Sequence, residues 1–217
     1  MQRSEPLLIW GAGGHARVVA EAVRTSGRFQ IVGFVDDVNE NRIGEVFAGG
    51  EILNPERVED LRANRATKVL VAVGDCTARL AVAARLRAKG WTFATVVHPA
   101  AVVASDSRLG EGTIAVAGAI VNPNCRVGAH VILNTACTVD HDSVIEDGVH
   151  VGPGVRLGGH VHVEREAWLG IGAVVKDRVR IGRGALIGAG AVVLQDIPRG
   201  VVAYGVPARV IRKRGFS

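Results

Sequence analysis

The sequence predicts a two-part fold, an N-terminal α/β domain followed by a parallel β-helix, and three observations predict it. Aromatic residues make up only 4% of the 217 residues while glycine occurs 28 times, a composition typical of a repetitive aliphatic core. Residues 1–97 alternate between short aliphatic runs and helical patterns. From Val103 onward, an aliphatic residue recurs at every sixth position.

The elements of the N-terminal domain follow one another in strand–helix order. Residues 7–10 predict a strand, residues 11–16 a tight glycine turn, and residues 17–26 a helix whose valines lie at helical spacing. Strands that alternate with helices form a parallel sheet, so we expect a Rossmann-like half domain. The same patterns predict strands at 30–37, 68–75 and 92–97 and a helix at 77–90.

The glycine turn carries a nucleotide-binding pattern. Gly11, Gly13 and Ala16 fit G-x-G-x-x-[GA], and Asp36 follows about twenty residues later. The pattern alone is weakly specific. About 97 residues give only half of a doubly wound dinucleotide-binding domain, with room for a mononucleotide. A plain tight turn flanked by surface acids is the alternative.

The repeats of the second half have a period of six. Each repeat is expected to supply one short strand and a turn, with its aliphatic residue pointing inward and the glycine that often follows it supplying turn freedom. A single repeat cannot bury its apolar face, so stability accumulates coil by coil. If three repeats form one coil, residues 18 apart lie above one another. The inward positions are Val103, Leu109, Ala115, Val121, Val127, Leu133, Val139, Ile145, Val151, Leu157, Val163, Leu169, Val175, Ile181, Ile187 and Val193.

The net charge of +5 is concentrated at the C-terminal end of the chain. A basic end on a formally neutral body argues against a nucleic-acid-binding surface and suits a small phosphate-bearing ligand. A solvated basic end is the alternative. The basic residues there are Arg199, Arg209, Arg212, Lys213 and Arg214.

Targeting signals and cysteines indicate the compartment. The apolar runs are shorter than a membrane span, and the chain starts without a charged and apolar leader, so we expect a cytoplasmic protein that binds no membrane. Cys76, Cys125 and Cys137 are odd in number and lack CxxC spacing. We therefore expect reduced, buried thiols.

The hexad pattern over about 103–210, together with the end 203–214, resembles the hexapeptide-repeat acyltransferases. Their β-helix is left-handed and their active unit is a trimer. When residues 11–19 and 34–37 are added, the whole chain resembles the sugar O- and N-acetyltransferases related to sialic-acid O-acetyltransferases. The resemblance implies an α/β domain over 1–97, a left-handed β-helix over 98–198 and a basic tail over 199–217.

The resemblance also implies an activity. Acetyl-CoA would donate an acetyl group to the 4-amino group of a nucleotide-linked 4-amino-4,6-dideoxy sugar, and within the family the chain most resembles members acting on GDP-perosamine. We expect a cytoplasmic homotrimer with active sites between subunits, serving lipopolysaccharide O-antigen or another surface glycan. Neither nucleic acid nor a metal cofactor is expected.

A histidine–aspartate pair carries the expected chemistry. His141 lies two places after the inward Val139, at a turn rather than in the core. The resemblance implies that His141 is the general base and that Asp142 orients it. Histidine titrates near neutrality and is able to take the proton of an attacking amine. Ser143 and Cys137 fall at small inward positions, so direct transfer without an acyl-enzyme is the simpler mechanism.

The remaining expected site residues follow from the same resemblance. On the nucleotide side, backbone N–H groups near a helix N-terminus would face phosphate, and acidic residues at strand ends would bind base or ribose. On the acetyl-CoA side, the expected contacts run from the reacting group along the pantetheine arm to the basic tail. The nucleotide-sugar residues are Gly13, Gly14, His15, Asp36, Asp37 and Gly74; the acetyl-CoA residues are His150, Gly159, Ile171, Ala189, Arg209 and Lys213.

Three alternatives stay open at this stage. A metal site would draw on His141, His150, His160 and His162, but the sequence offers no evident set of three converging ligands. O-acetylation of a sialic-acid-type hydroxyl, or N-acetylation of a UDP-linked amino sugar, would use the same base. A non-enzymatic scaffold is the third alternative.

Overall fold

The computed structural model describes residues 4–63 and 67–215. The chain divides into two compact units, Met1–His98 and Pro99–Ser217. This division lies one residue from the boundary expected between 97 and 98. The expected domains also include residues 1–3, 64–66, 216 and 217, which lie outside the described residues.

The N-terminal unit is built on a three-stranded parallel sheet of order β2-β1-β5. The expected strand–helix alternation is therefore confirmed, while the strand expected at 92–97 is reduced to its last two residues. The elements are β1 (Glu5–Trp10), α1 (Gly14–Ser26), β2 (Phe29–Val35), a 3₁₀ turn (Glu40–Arg42), β3 (Val46–Phe47), β4 (Gly50–Glu51), α2 (Pro55–Ala63), β5 (Lys68–Val71), α3 (Cys76–Ala88) and β6 (Val96–Val97).

Local sequence explains where the helices of this unit begin and end. Gly13, in an extended conformation, precedes α1, and Gly27 ends it with φ 65, a left-handed conformation that costs glycine little. Asp75 caps α3, because its Oδ1 accepts a hydrogen bond from the Ala78 N–H at 2.8 Å. The Gly13 turn after β1 and the Asp75 cap after β5 therefore place loop residues at the carboxyl edge of the sheet, whereas the Gly27 turn leads into β2 at the opposite edge.

The second unit is a parallel β-helix of two-residue strands. Three sheets run along it, and every strand pairs in parallel with the strand 18 residues away, as Thr138 does with Arg156. The expected three-hexad coil is confirmed. The strands are β7 (Val102–Val103), β8 (Arg108–Leu109), β9 (Ile114–Ala115), β10 (Ile120–Val121), β11 (Arg126–Val127), β12 (Ile132–Leu133), β13 (Thr138–Val139), β14 (Val144–Ile145), β15 (His150–Val151), β16 (Arg156–Leu157), β17 (His162–Val163), β18 (Trp168–Leu169), β19 (Val174–Val175), β20 (Arg180–Ile181), β21 (Leu186–Ile187) and β22 (Val192–Val193).

The core of the β-helix consists of stacked aliphatic residues. From Ala115 to Val193 all the expected inward positions are buried, and only the first two, Val103 and Leu109, are partly open. A second inward row, four places after the first, holds small or β-branched residues such as Ala167 and is also buried. Each repeat thus contributes two inward side chains, which contact their equivalents one coil away.

The glycines after the aliphatic positions have another role than the one expected. They do not adopt positive φ. Instead, a Cβ added to Gly110 would lie 2.5 Å from the backbone of Gly128, and a Cβ added to Gly170 would lie 2.7 Å from the backbone of Ala189. The next coil approaches so closely that only hydrogen fits. Positive φ falls two places later, at Gly112, Gly118, Asn124, His130, Ala136, Asp142, Gly148, Gly154, His160, Glu166, Gly172, Arg178, Gly184 and Gly190.

The basic C-terminal end forms a hairpin rather than a loose tail. β23 (Val201–Gly205) continues the sheet in parallel with β21, and β24 (Ala208–Lys213) returns antiparallel to it. The three cysteines are buried and form no disulfide, as expected. No helix within the described residues is long and apolar enough to span a bilayer.

Candidate active site

A groove of about 640 Å³ runs along one edge of the β-helix. Turn residues of three successive coils line it, so the 18-residue repeat stacks their side chains. Its charged and polar lining residues are Thr138, Asp140, His141, Arg156, His160, Lys176, Asp177 and Arg178.

The expected His141–Asp142 contact is present in this groove. The two residues follow β13, and Asp142 adopts φ 59, which turns its carboxylate back toward the preceding ring. His141 Nδ1 lies 2.7 Å from Asp142 Oδ2. Since a carboxylate only accepts, Nδ1–H is the donor, and Nε2 is left as the basic nitrogen. The His141 side chain is 52% exposed, as a group that meets a substrate must be.

Neighbouring carboxylates make this histidine more basic. The pKa of His141 is raised above its ordinary value, chiefly by the hydrogen bond to Asp142 and further by the charge of Asp140. Asp140 is itself held in place, because its Oδ1 accepts hydrogen bonds from the His141 N–H and from Asn122 Nδ2, both at 2.8 Å. The pKa of Asp142 is lowered by its hydrogen bonds with His141 and Asn124, so it stays ionised at neutral pH.

Gly159 lies directly against the imidazole of His141. The two residues are 18 apart and share a turn column, and a Cβ at Gly159 would lie 2.8 Å from the Cε1 and Nε2 atoms of His141. Any side chain at residue 159 would displace the ring. Because Gly159 has no side chain, Nε2 of His141 stays open to the groove, and the backbone of Gly159 lies beside the reacting position.

A column of polar residues beside His141 was missed by the sequence analysis. Asn124, Asp142, His160 and Arg178 are spaced by 18 residues and all have positive φ, at a turn position where glycine is otherwise common. Asn124 Nδ2 donates to Asp142 Oδ1 at 2.5 Å, and His160 Nε2 lies 3.7 Å from Asp142 Oδ2. The His160 ring meets the His141 ring edge-on at 5.3 Å between centroids. The 18-residue spacing of Asp142 and His160 is the signal that would have found this neighbour.

The four histidines weighed for a metal site do not converge. His150 accepts from Asn134 Nδ2 at 3.2 Å and stacks on Trp168, and His162 Nε2 pairs with Glu146 at 2.7 Å. Both lie in strands of other sheets than β13. Only His141 and His160 approach each other, and Asp142 joins them as a possible third ligand.

The residues expected to bind acetyl-CoA are spread along the β-helix. Gly159 lies in the groove, whereas His150 is almost completely buried in β15. Ile171 and Ala189 are exposed and stack one coil apart, with the Gly190 N–H donating to the Ile171 carbonyl at 2.8 Å. Arg209 and Lys213, both exposed, are part of β24.

All six expected nucleotide-sugar residues line one pocket of the N-terminal unit. The pocket has a volume of about 430 Å³ and lies at the carboxyl ends of β1, β2 and β5, where parallel sheets bind ligands. An added Cβ at Gly13, Gly14 or Gly74 would meet no atom within 4 Å, so these glycines present bare backbone to the pocket. The grouped residues are Gly13, Gly14, His15, Asp36, Asp37 and Gly74.

Both acids of this pocket are engaged by cationic side chains that the sequence analysis did not single out. Arg42 Nη1 donates to Asp36 Oδ2 at 2.7 Å and to the Ala12 carbonyl at 2.9 Å. Asp37 pairs with Arg85 and accepts from Trp10 Nε1 at 3.0 Å. Burial opposes ionisation of Asp37, but these two hydrogen bonds outweigh it and lower its pKa. The acids are therefore fixed before any ligand arrives.

Comparison with known proteins decides the family. The PglD N-terminal domain model matches residues 6–86, and the bacterial transferase hexapeptide model, six repeats, matches residues 160–195. The acetyltransferase domain of PglB from Neisseria gonorrhoeae FA1090, solved with acetyl coenzyme A, is 33% identical with a TM-score of 0.89, over 96% of this chain and 100% of that one. A mutant of perosamine N-acetyltransferase from Caulobacter crescentus, solved with CoA and GDP-perosamine, is 35% identical with a TM-score of 0.89, over 95% and 96%. The chain belongs to the hexapeptide-repeat sugar N-acetyltransferases.

Membership of this family confirms the resemblance and the fold class drawn from the hexads and the glycine turn. A curated member, UDP-N-acetylbacillosamine N-acetyltransferase of Bacillus subtilis strain 168, is 37% identical over 112 residues. That match spans 50% of this chain and 50% of the curated relative. Relatives named after different sugars thus share this fold. Their names alone do not identify the acceptor sugar of this chain.

Proposed function

We propose that this chain transfers the acetyl group of acetyl-CoA to the 4-amino group of a nucleotide-linked 4-amino-4,6-dideoxy sugar, with GDP-perosamine as the first candidate acceptor. The observation that carries the proposal is the His141–Asp142 pair, which faces an open groove beside a glycine of the next coil. The full-length similarity to the solved PglB domain and to perosamine N-acetyltransferase supports the reaction type.

The two sites divide the work of binding. In the N-terminal pocket, the bare backbone of Gly13 and Gly14 at the start of α1 suits a diphosphate, since helix N-termini attract anions. Asp36, held by Arg42, and Asp37, held by Trp10 and Arg85, suit the N–H and O–H donors of a base and ribose. The exposed stack of Ile171 and Ala189 would hold the pantetheine arm of acetyl-CoA. Arg209 and Lys213 would bind the phosphates of acetyl-CoA.

The reaction then follows from the position of His141. The amine nitrogen attacks the carbonyl carbon of the thioester and forms a tetrahedral oxyanion, while Nε2 of His141 takes one amine proton. The carbon–sulfur bond breaks, and the proton passes from His141 to the departing sulfur, so that coenzyme A leaves as a thiol. The N–H of Gly159 would stabilise the oxyanion.

Asp142 acts on the histidine and not on the substrate. By accepting the Nδ1–H bond at 2.7 Å it fixes the tautomer, and its charge stabilises the imidazolium formed during the reaction. Asp140 adds a second negative charge near the ring. Such a positioned base contributes roughly 10²–10⁴-fold to the rate.

The test is thiol release from acetyl-CoA by the purified protein, offered GDP-perosamine, a UDP-linked 4-amino-4,6-dideoxy sugar or a sialic acid in parallel. We expect fast release with the GDP sugar. Release with the UDP sugar alone would keep the mechanism and change the nucleotide, while release with the sialic acid alone would mean O-acetylation. No release with any acceptor would contradict the proposal. The homotrimer with sites between subunits and the cytoplasmic location remain predictions.

A further inference from the structure

The groove contains three metal-ligating groups in one cluster. One coordinating atom from each of His141, Asp142 and His160 lies within 4.8 Å of the other two. Within the described residues, this trio is the group of histidine, cysteine and acidic side chains close enough together to hold a metal ion. Two imidazoles and one carboxylate are a ligand set that Zn²⁺ accepts in tetrahedral sites, where a fourth position stays open to water.

The distances within the trio are close to those that zinc requires. Zinc–nitrogen and zinc–oxygen bonds of about 2.1 Å in a tetrahedron place ligand atoms about 3.4 Å apart. His141 Nδ1 and Asp142 Oδ2 are 2.7 Å apart, and Asp142 Oδ2 and His160 Nε2 are 3.7 Å apart. The first pair would have to open and the second to close by less than about 1 Å.

Backbone contacts hold the trio together while its side chains keep freedom to adjust. The His160 N–H donates to the His141 carbonyl at 2.9 Å, which fixes the two histidines in successive coils. The side chains of His141, Asp142 and His160 are 52%, 35% and 41% exposed, so small rotations meet no packed core.

Charges around the trio act in both directions. Asp142 is a ligand, and Asp140 brings a second negative charge beside His141. Arg178, one coil beyond His160, is the nearest opposing cation in its column, and its positive charge acts against both a bound metal and a protonated His141. Arg156, Lys176 and Asp177 also line the groove, so three cations stand against three carboxylates, and the ligand set itself rather than the surrounding charge favours the ion.

We propose that His141, Asp142 and His160 bind Zn²⁺ and that the bound ion inhibits the enzyme by occupying its base. An imidazole that coordinates zinc through Nδ1 carries its proton on Nε2, where it is a donor and no longer accepts a proton from an amine. The ion also takes the carboxylate that orients the ring. Inhibition rests on the proposed function of His141, whereas binding does not.

Binding is tested without substrates, by titrating the metal-free protein with Co²⁺ and recording the visible absorption that tetrahedral Co²⁺ gives, then displacing it with Zn²⁺. We expect one ion per chain in the wild type. His160→Asn should weaken binding by more than about 10-fold, because one ligand is lost. His162→Asn is the matched control, since that histidine pairs with Glu146 on another sheet and should bind as the wild type does.

Activity forms the second arm of the experiment. Zn²⁺ should slow acetyl transfer by the wild type and by His162→Asn, with recovery on chelation, and His160→Asn should need about 10-fold more zinc for half inhibition. Asp142→Asn gives a second ligand variant should His160→Asn fail to fold. Equal metal binding by wild type and both ligand variants, or no binding at all, overturns the proposal. Binding without acetyl transfer to any sugar would instead reject only the proposed function.

Discussion

The N-terminal pocket and the β-helix groove present their functional groups in opposite ways. In the pocket, Gly13 and Gly14 offer backbone, and the acids Asp36 and Asp37 are already paired with Arg42 and Arg85. In the groove, the side chains of His141 and His160 stand about half exposed on turns. A pocket that is fixed in advance suits selection of a ligand, whereas an exposed imidazole suits proton transfer. Substitutions in the groove should therefore change kcat, and substitutions in the pocket should change KM.

The largest effect is expected from His141→Ala. Loss of the base should lower kcat for acetyl transfer by roughly 10²–10⁴-fold, with the KM values little changed. The side chain is exposed, so the thermal unfolding midpoint should stay close to that of the wild type. Steady-state thiol release and a melting curve check both, and a variant that keeps its kcat would remove His141 from the mechanism.

Gly159→Ala should come next. The new Cβ would lie 2.8 Å from the His141 ring and push it out of position, and a misplacement of about 1 Å costs up to roughly 10²-fold in kcat. The backbone itself accepts alanine at this place in the repeat, because Ala117, Ala129 and Ala189 occupy the same turn position in other coils. An unchanged melting temperature with a full wild-type rate would show that the imidazole does not need this space.

Asp142→Asn should have a smaller effect that depends on pH. The raised pKa of His141 means that its neutral, basic form is populated only as the pH rises through that pKa, so kcat/KM should increase with pH in the wild type. Without the carboxylate the pKa of His141 falls, and the rising limb should move to lower pH. At pH 7 we expect a loss on the order of 10-fold, since a weaker base accepts the proton less well. Identical pH profiles for the two proteins would contradict this role.

Gly14→Ala should have the smallest effect on the kinetics. It is also the sharpest test of the contrast between a pocket that sets KM and a groove that sets kcat. An added methyl meets no protein atom and favours the helix, so stability should not fall. It would occupy space beside α1 and should raise KM for the nucleotide sugar by about 10-fold or less, with kcat and the KM of acetyl-CoA unchanged. A change confined to kcat would mean that the pocket does more than bind. Gly11→Ala is the structural control, since its Cβ would lie 2.7 Å from the Ala72 carbonyl oxygen and should lower the melting temperature.

The sequence predicted the structure best in the β-helix, where one pattern of residues repeats. The sixth-position aliphatics predicted the inward row, the three-hexad coil and the turn position of His141, because a solenoid has a single local geometry that every repeat reports. In the N-terminal unit, the short strands β3 and β4 and the helix α2 were missed, since two-residue strands and a weakly apolar helix carry little periodic signal.

Side-chain contacts within the turns were harder to predict. The His141–Asp142 hydrogen bond depends on the positive φ of Asp142, which the residue type permits and does not require. The proximity of Asp142 to His160 was within reach, because 18-residue spacing places them in one column. The pairing of Asp37 with Arg85 joins residues 48 apart in sequence and depends on the tertiary fold, which no local pattern reports.

The close contact between coils at Gly110 and Gly170 gives the β-helix a fixed unit of length. Neighbouring strands lie about 4.8 Å apart, so groups one coil apart, such as Ile171 and Ala189, mark equal steps along the surface. An extended ligand on this surface is measured in whole coils. An insertion of six residues between Asp142 and His160 would carry every later residue to a different face and separate the two side chains. Only an insertion of 18 residues lengthens such a site and keeps its columns aligned, so families built this way are expected to change reach in steps of one coil.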